Sequence, residues 1–134
     1  MQRIEVRYEE ADRFSIQIRD HELKVDQPDT GDAAPTPTEL FVAGLVSCVG
    51  FYAGRFCQRH GIDPAGLSVT CDWSFASDKP ARVDRIDVRV GLPEGFPPDK
   101  LDRLQAVIEH CTVHNSIVQA PEVSIVAEAP AAAA

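Results

Sequence analysis

The chain lacks a net positive charge, a CxxC pair, an internal repeat and an unbroken apolar run of membrane-spanning length, and each absence removes a class of function. Its 13 Lys and Arg stand against 21 Asp and Glu, a formal net charge of −8. Phosphate recognition relies on clustered cations, so nucleic acid and anionic membrane are excluded as expected partners. Four cysteines, unevenly spaced, read as free thiols in a reducing compartment rather than as a disulfide framework. The opening MQRIEVRYEE is charged and strand-like instead of a positive region followed by an apolar one, so no secretory signal is read and a cytoplasmic location is expected. Residues 1–129 read as a single domain and residues 130–134, within APAAAA, as a disordered tail.

What is present is organised around the stretch from Thr36 to Gly61. Thr36 suits an N-cap, Pro37 the first helical position, and Glu39 closes a capping box onto Thr36, while Gly61 supplies the stop. From Leu40 to Ala53 the only polar side chain is Ser47, so the helix is apolar nearly all round and requires cover on every side. A membrane span needs about 20 such residues, and this run breaks at Arg55, Gln58, Arg59 and His60. Small residues at Ala43, Ser47, Gly50 and Gly54 suggest a groove for another backbone. A chain of 134 residues is short of what would wrap such a helix alone, which points to an obligate dimer.

Alternation of apolar and polar residues predicts two strands through Ile4, Val6 and Tyr8 and through Phe14, Ile16 and Ile18, then a short strand around Leu23 to Val25. The loop QPDTGDAAPTP leads into the helix. Beyond it, Leu67 to Phe75 and Ile86 to Leu92 predict an antiparallel pair, with Val83 out of phase and a bulge near Asp84 and Arg85. A second helix presents Leu101, Leu104, Val107, Ile108 and Cys111 on one face, and a closing strand is expected at residues 123–127. The order β-β-β-α-β-β-α-β is an α+β arrangement.

Cys48 and Cys111 are both placed on apolar faces, where facing helices would bring their sulfurs together; a buried cysteine also serves as a small hydrophobe. Cys57 falls on the opposite side of the helix from Cys48, and Cys71 on the inward face of its strand, so both read as packing residues. A nucleophilic cysteine acts as the thiolate. Cys48 lies beyond the first turn of its helix, where the dipole acts strongly, so a cation is required. Arg13 and Arg19 are candidates from the strands, and Arg55 shares the Cys48 face, about 10 Å further along the axis. His110, Cys111 and His114 form an HCxxH cluster with the i, i+4 spacing of a helical zinc site, but without a fourth ligand unless the fold supplies His60. They are read as polar residues near a helix end, with no metal.

The segments PTPTELFVAGLVSC and HCTVHNS, about sixty residues apart, followed by PEVSIV and preceded by HELKVDQP, resemble the OsmC/Ohr family of thiol-dependent hydroperoxide reductases over nearly the whole chain. The resemblance implies an OsmC-like fold, with antiparallel sheets packed around a long central helix in an intertwined homodimer whose active sites lie at the subunit interface. It implies that Cys48 is peroxidatic, becoming a sulfenic acid as an organic hydroperoxide is cleaved to an alcohol, and that Cys111 resolves it as a disulfide reduced by an external thiol or dithiol. No metal, flavin, haem or other cofactor is implied. Arg13 is the first choice for the activating arginine and Glu39 for its orienting carboxylate. The family's glutamate stands ten positions before the first cysteine, however, which here is Thr38, and a one-residue offset turns a helical side chain by about 100°. Phe41, Leu45, Phe51 and Tyr52 on the Cys48 face are the expected substrate pocket, favouring bulky hydroperoxides in an oxidative stress response. The rival reading is a noncatalytic dimer that binds a small apolar ligand or electrophile in its interface cleft.

Overall fold

The structure, a computed structural model, describes residues 1–131; residues 132–134 of the expected tail lie outside the described residues. Strands β1 (Glu5–Glu10), β2 (Arg13–Ile18) and β3 (His21–Val25) form an antiparallel meander in chain order. Its register sets Val6 opposite Ile16, Tyr8 opposite Phe14 and Ile16 opposite Leu23, so the alternating apolar residues share one face. Much of that face is open, with Val6 55% and Tyr8 64% exposed, while Ile16 and Ile18 are half-buried and Val25 is buried. Half-burial was expected of these strands; among the described residues neither core cluster includes any residue of this sheet, because no other element of the same chain folds over it.

Helix α1 (Pro37–Arg59) begins as its sequence dictates. Thr36 Oγ1 accepts from the Glu39 amide at 3.1 Å, and Glu39 Oε1 accepts from the Thr36 amide at 2.9 Å, which satisfies two otherwise orphaned donors. The helix stops at Gly61, whose φ of 68° is costless only without a Cβ, and the Ile62 amide turns back to the Cys57 carbonyl at 2.8 Å. By length and composition alone α1 could cross a membrane. Its contacts with β4 (Ser68–Phe75), β5 (Val83–Gly91) and the two later helices make it the core helix of this chain.

Cover comes from one side only. Val42, Leu45, Val49, Ala53, Phe56 and Cys57 are buried, while Ala43, Ser47, Phe51, Arg55 and Arg59, four residues apart, form an exposed stripe. The expectation of burial all round therefore fails within one chain. Of the small residues, Gly50 lies where a Cβ would stand 3.4 Å from the Val69 side chain, whereas a Cβ on Gly44 would meet open space.

Strands β4 and β5 pair antiparallel, and the change from Ser74 opposite Arg85 to Phe75 opposite Val83 leaves Asp84 unpaired. That is the bulge read from the phase of Val83. Two features differ from expectation. Helix α2 (Leu101–Ile108) ends three residues before Cys111, which instead adopts an extended conformation as the N-cap of α3 (Thr112–Val118). Residues 123–127 form no strand and pair with neither sheet, and Val123, Ile125 and Val126 are exposed, so the amides of this segment are left to water.

Candidate active site

The fold brings Cys48 and Cys111 together from opposite halves of the chain. Cys48 projects from the middle of α1 and is half-buried; Cys111 enters from the α2–α3 junction and is wholly inaccessible. Both belong to one apolar cluster built on Leu45 and Val49 of α1, closed by Val69, Val88 and Ile108. Both are free thiols. Burial pushes the Cys111 thiol above its ordinary value; the amides of His114 and Val113 oppose the shift, and the neighbouring Cys48 sulfur adds to it. The His114 amide donates to Cys111 Sγ at 3.4 Å, so this sulfur has a structural role as a cap.

The other two cysteines lie outside this pair. Cys57 is fully buried, and burial raises its thiol. Cys71 is raised first by burial and then by the carboxylates of Asp72 and Asp87. Each is held as the unreactive thiol.

A contact that the spacing does not reveal ties the two cysteine segments. Tyr52, one turn beyond Cys48, places its hydroxyl 2.8 Å from Thr112 Oγ1, the residue after Cys111. No residue type or interval in the sequence announces this pair, since its meeting depends on how α3 docks on α1. Next to it, His114 Nδ1 lies 2.5 Å from the Glu109 carbonyl. A carbonyl can only accept, so Nδ1 carries a proton and donates it to this bond.

Arg13 and Glu39, the expected activating pair, do not meet. Glu39 is occupied by the capping box. Arg13 Nη1 donates to Glu10 at 3.1 Å, and its Nε lies 3.5 Å from Asp26 Oδ2. Asp26 itself is buried and accepts from the amides of Ala33 at 3.0 Å and Gln27 at 2.8 Å. These amides, the Ala33 bond foremost, hold its carboxyl below the ordinary 3.8 against the opposing effect of burial, with Arg13 assisting. The acidic partner of Arg13 thus lies at the end of β3, and no sequence motif flagged it. Arg19 sits exposed in the β2–β3 turn with a φ of 52°.

The four expected pocket residues are dispersed. Leu45 lines an open pocket of 290 Å³ between α1, β5 and α2, with Gln105, Glu109 and His114 among its apolar walls. Phe51 and Tyr52 line a second hollow, toward the C-terminal end of α1, and Phe41 a third beside Arg82 and Val83. One chain does not assemble them into a single pocket. Nor does it assemble the HCxxH residues: α2 ends before His110, so the helical i, i+4 geometry is lost, and among the described residues no three His, Cys, Asp or Glu side chains converge as metal ligands.

Comparison with known proteins agrees with this architecture. No curated protein sequence matches the chain. Among solved structures, an OsmC-like protein from Mycoplasma pneumoniae superposes with a TM-score of 0.77 at 14% identity, covering 90% of this chain and 89% of that one. A Psychrobacter arcticus 273-4 protein, associated in its description with osmotic stress induction and detoxification response, gives 0.78 at 22% identity, covering 87% and 88%. The organic hydroperoxide resistance protein OhrB of Bacillus subtilis gives 0.62 at 16%, covering 87% and 89%. At these identities the likeness is one of fold. The sequence profile of the OsmC-like protein family matches residues 29–126, a span that contains both Cys48 and Cys111, and the chain belongs to that family.

Proposed function

We propose that this protein reduces organic hydroperoxides by a two-cysteine thiol mechanism, with Cys48 peroxidatic and Cys111 resolving. The observation that carries the reading is that two free cysteines, far apart in sequence, share one core cluster, the more accessible of them on the central helix. The Cys48 thiolate attacks the distal oxygen of the hydroperoxide; the O–O bond breaks and the alkoxide leaves with a proton as the alcohol. Cys111 then attacks the Cys48 sulfenic acid, forming the disulfide and releasing water, and an external dithiol returns both to thiols. The raised Cys111 thiol suits the second role: it stays protonated while Cys48 reacts and loses its proton as the sulfenic oxygen departs as water.

The single chain is incomplete for this chemistry. The open stripe of α1 and the bare apolar face of β1–β3 complement each other, and a homodimer in which each sheet covers the other copy's helix buries both. In that arrangement Arg13 comes to the Cys48 side from the second copy, oriented by Asp26 rather than by Glu39. The dispersed Phe41, Phe51 and Leu45 then line one apolar approach for bulky hydroperoxides. Location in the cytoplasm fits the reducing environment that two free thiols require.

The test is dithiol-dependent consumption of cumene hydroperoxide by the wild-type protein, Cys48→Ser and Cys111→Ser. Turnover should vanish in Cys48→Ser, while Cys111→Ser should stop at the sulfenic acid when only a bulky reductant is present. Undiminished turnover in Cys48→Ser would end the proposal.

A further inference from the structure

The polar residues around Cys111 do not converge as metal ligands, but they are not loose groups at a helix end either. His114 Nδ1 donates to the Glu109 carbonyl at 2.5 Å, and Asn115 Nδ2 donates to the His110 carbonyl at 3.1 Å. Helix α2 ends at Ile108, so both carbonyls lie just past its last turn, where no further turn supplies a backbone donor. In the opposite direction the His114 amide donates to Cys111 Sγ at 3.4 Å, with Cys111 as the N-cap of α3. His114 therefore grips this corner twice, with its ring on the end of α2 and its amide on the sulfur.

All of these groups lie within residues 109–115, so the arrangement does not depend on what covers the open stripe of α1. What it fixes is the sulfur. Cys111 is extended, with φ −67° and ψ 154°, and the helix that follows it has only 7 residues, too few to persist by itself in water. The Tyr52–Thr112 bond ties the residue after Cys111 to α1; the His114 and Asn115 bonds tie down the two residues before it. A cysteine that must meet one particular sulfur gains from being held on both sides, because the disulfide forms only from the fraction of molecules in which the sulfur is already in place.

We propose that His114, assisted by Asn115, is the positioning residue of the second cysteine: its ring N–H on the Glu109 carbonyl holds the α2–α3 corner so that Cys111 Sγ stays beside Cys48. The role deepens the two-cysteine reading and rests on it for its use in turnover, but the positioning itself is measurable without peroxide. The ring acts through the backbone and serves as a hydrogen-bond donor rather than as a base, so an amide that places a donor at the same point replaces it.

Equilibration with mixtures of oxidised and reduced glutathione, at fixed pH and protein concentration, tests the proposal. The Cys48 and Cys111 thiols are oxidised to their disulfide as glutathione disulfide is reduced to two thiols, and peptide mapping reads the fraction joined. His114→Leu should lower the equilibrium constant about two- to tenfold, the worth of one hydrogen bond. Asn115→Ala should lower it by about twofold, because that bond is exposed. His114→Asn, whose Nδ2 can stand where the ring N–H stands, should return to within about twofold of wild type. Thr36→Ala, which weakens only the cap of α1, should leave the constant unchanged, so that lost stability is not mistaken for lost positioning. An unchanged constant in His114→Leu, an equal fall in Thr36→Ala, or a His114→Asn constant as low as that of His114→Leu would overturn the proposal. So would a wild-type protein that forms no Cys48–Cys111 disulfide with the reagent. A disulfide that glutathione drives and cumene hydroperoxide does not, with the same ranking of variants, would support the positioning while ending the peroxidase reading.

Discussion

The hydrogen bond from Tyr52 to Thr112 offers the sharpest test of how the cysteine pair is held. Tyr52→Phe and Thr112→Val each delete one hydroxyl with little change of volume, and the bond they share is 2.8 Å long. A neutral hydrogen bond contributes about 0.5–1.5 kcal/mol net. Because Tyr52 is only half-buried and Thr112 exposed, a hydroxyl that loses its partner regains water, which places this one at about 0.5–1 kcal/mol. Each single variant should lose about that much unfolding free energy, and the double variant no more than either, leaving a coupling of about 0.5–1 kcal/mol. Urea unfolding of the four proteins at one fixed concentration measures it, since association would otherwise shift the apparent stability. The same energy corresponds to a factor of about two to five in rate, so disulfide formation after one equivalent of cumene hydroperoxide, followed by free-thiol titration, should slow by that factor in each single variant. Additive losses with no coupling would refute the claim that this bond holds the Cys111 segment on α1.

Three other perturbations probe the frame around the site. Leu104, 2% exposed against Ala53 and Phe56, should lose about 2–5 kcal/mol on truncation to Ala, read as a lower urea midpoint with unchanged slope; a loss below about 1 kcal/mol would remove it from the core. Thr36→Ala should cost about 1 kcal/mol of stability, while Glu39→Gln, which keeps the capping box, should leave both stability and peroxide turnover near wild type; a collapse of turnover would restore Glu39 to the chemistry. Asp26 has a depressed carboxyl, so its contribution is present above the unfolded value of 3.8 and is lost as pH falls through the lower folded value. Acid unfolding monitored by Trp73 fluorescence should therefore lose part of its steepness in that window in Asp26→Asn, and turnover should drop with it if Asp26 orients Arg13.

Much of the fold was legible because its signals are local. The Thr36–Pro37–Glu39 start, the Gly61 stop, the period-two strands and the Asp84 bulge all depend on backbone geometry within a few residues, which side-chain chemistry dictates directly. The errors lie where distant segments decide. Cys111 looked like the end of a continuous helical face, yet α2 closes at Ile108 and the sulfur caps a new helix. Residues 123–127 read as a strand, but a strand exists only where a partner edge takes its hydrogen bonds, and in this chain the segment pairs with neither sheet.

By itself the sequence determined that a capped apolar helix carries Cys48, that a second cysteine follows in a recognisable setting, and that one chain is too small to cover that helix. Tertiary structure alone decided that Cys48 meets Cys111, that Tyr52 reaches Thr112, and that Arg13 turns to Asp26 while Glu39 stays in its cap. The physical reason is range. Hydrogen bonds at a helix end and the pleat of a strand are set by neighbours in sequence, whereas proximity between α1 and the α2–α3 junction follows from burying apolar area, a non-directional force that specifies which faces are hidden but not which side chains meet there.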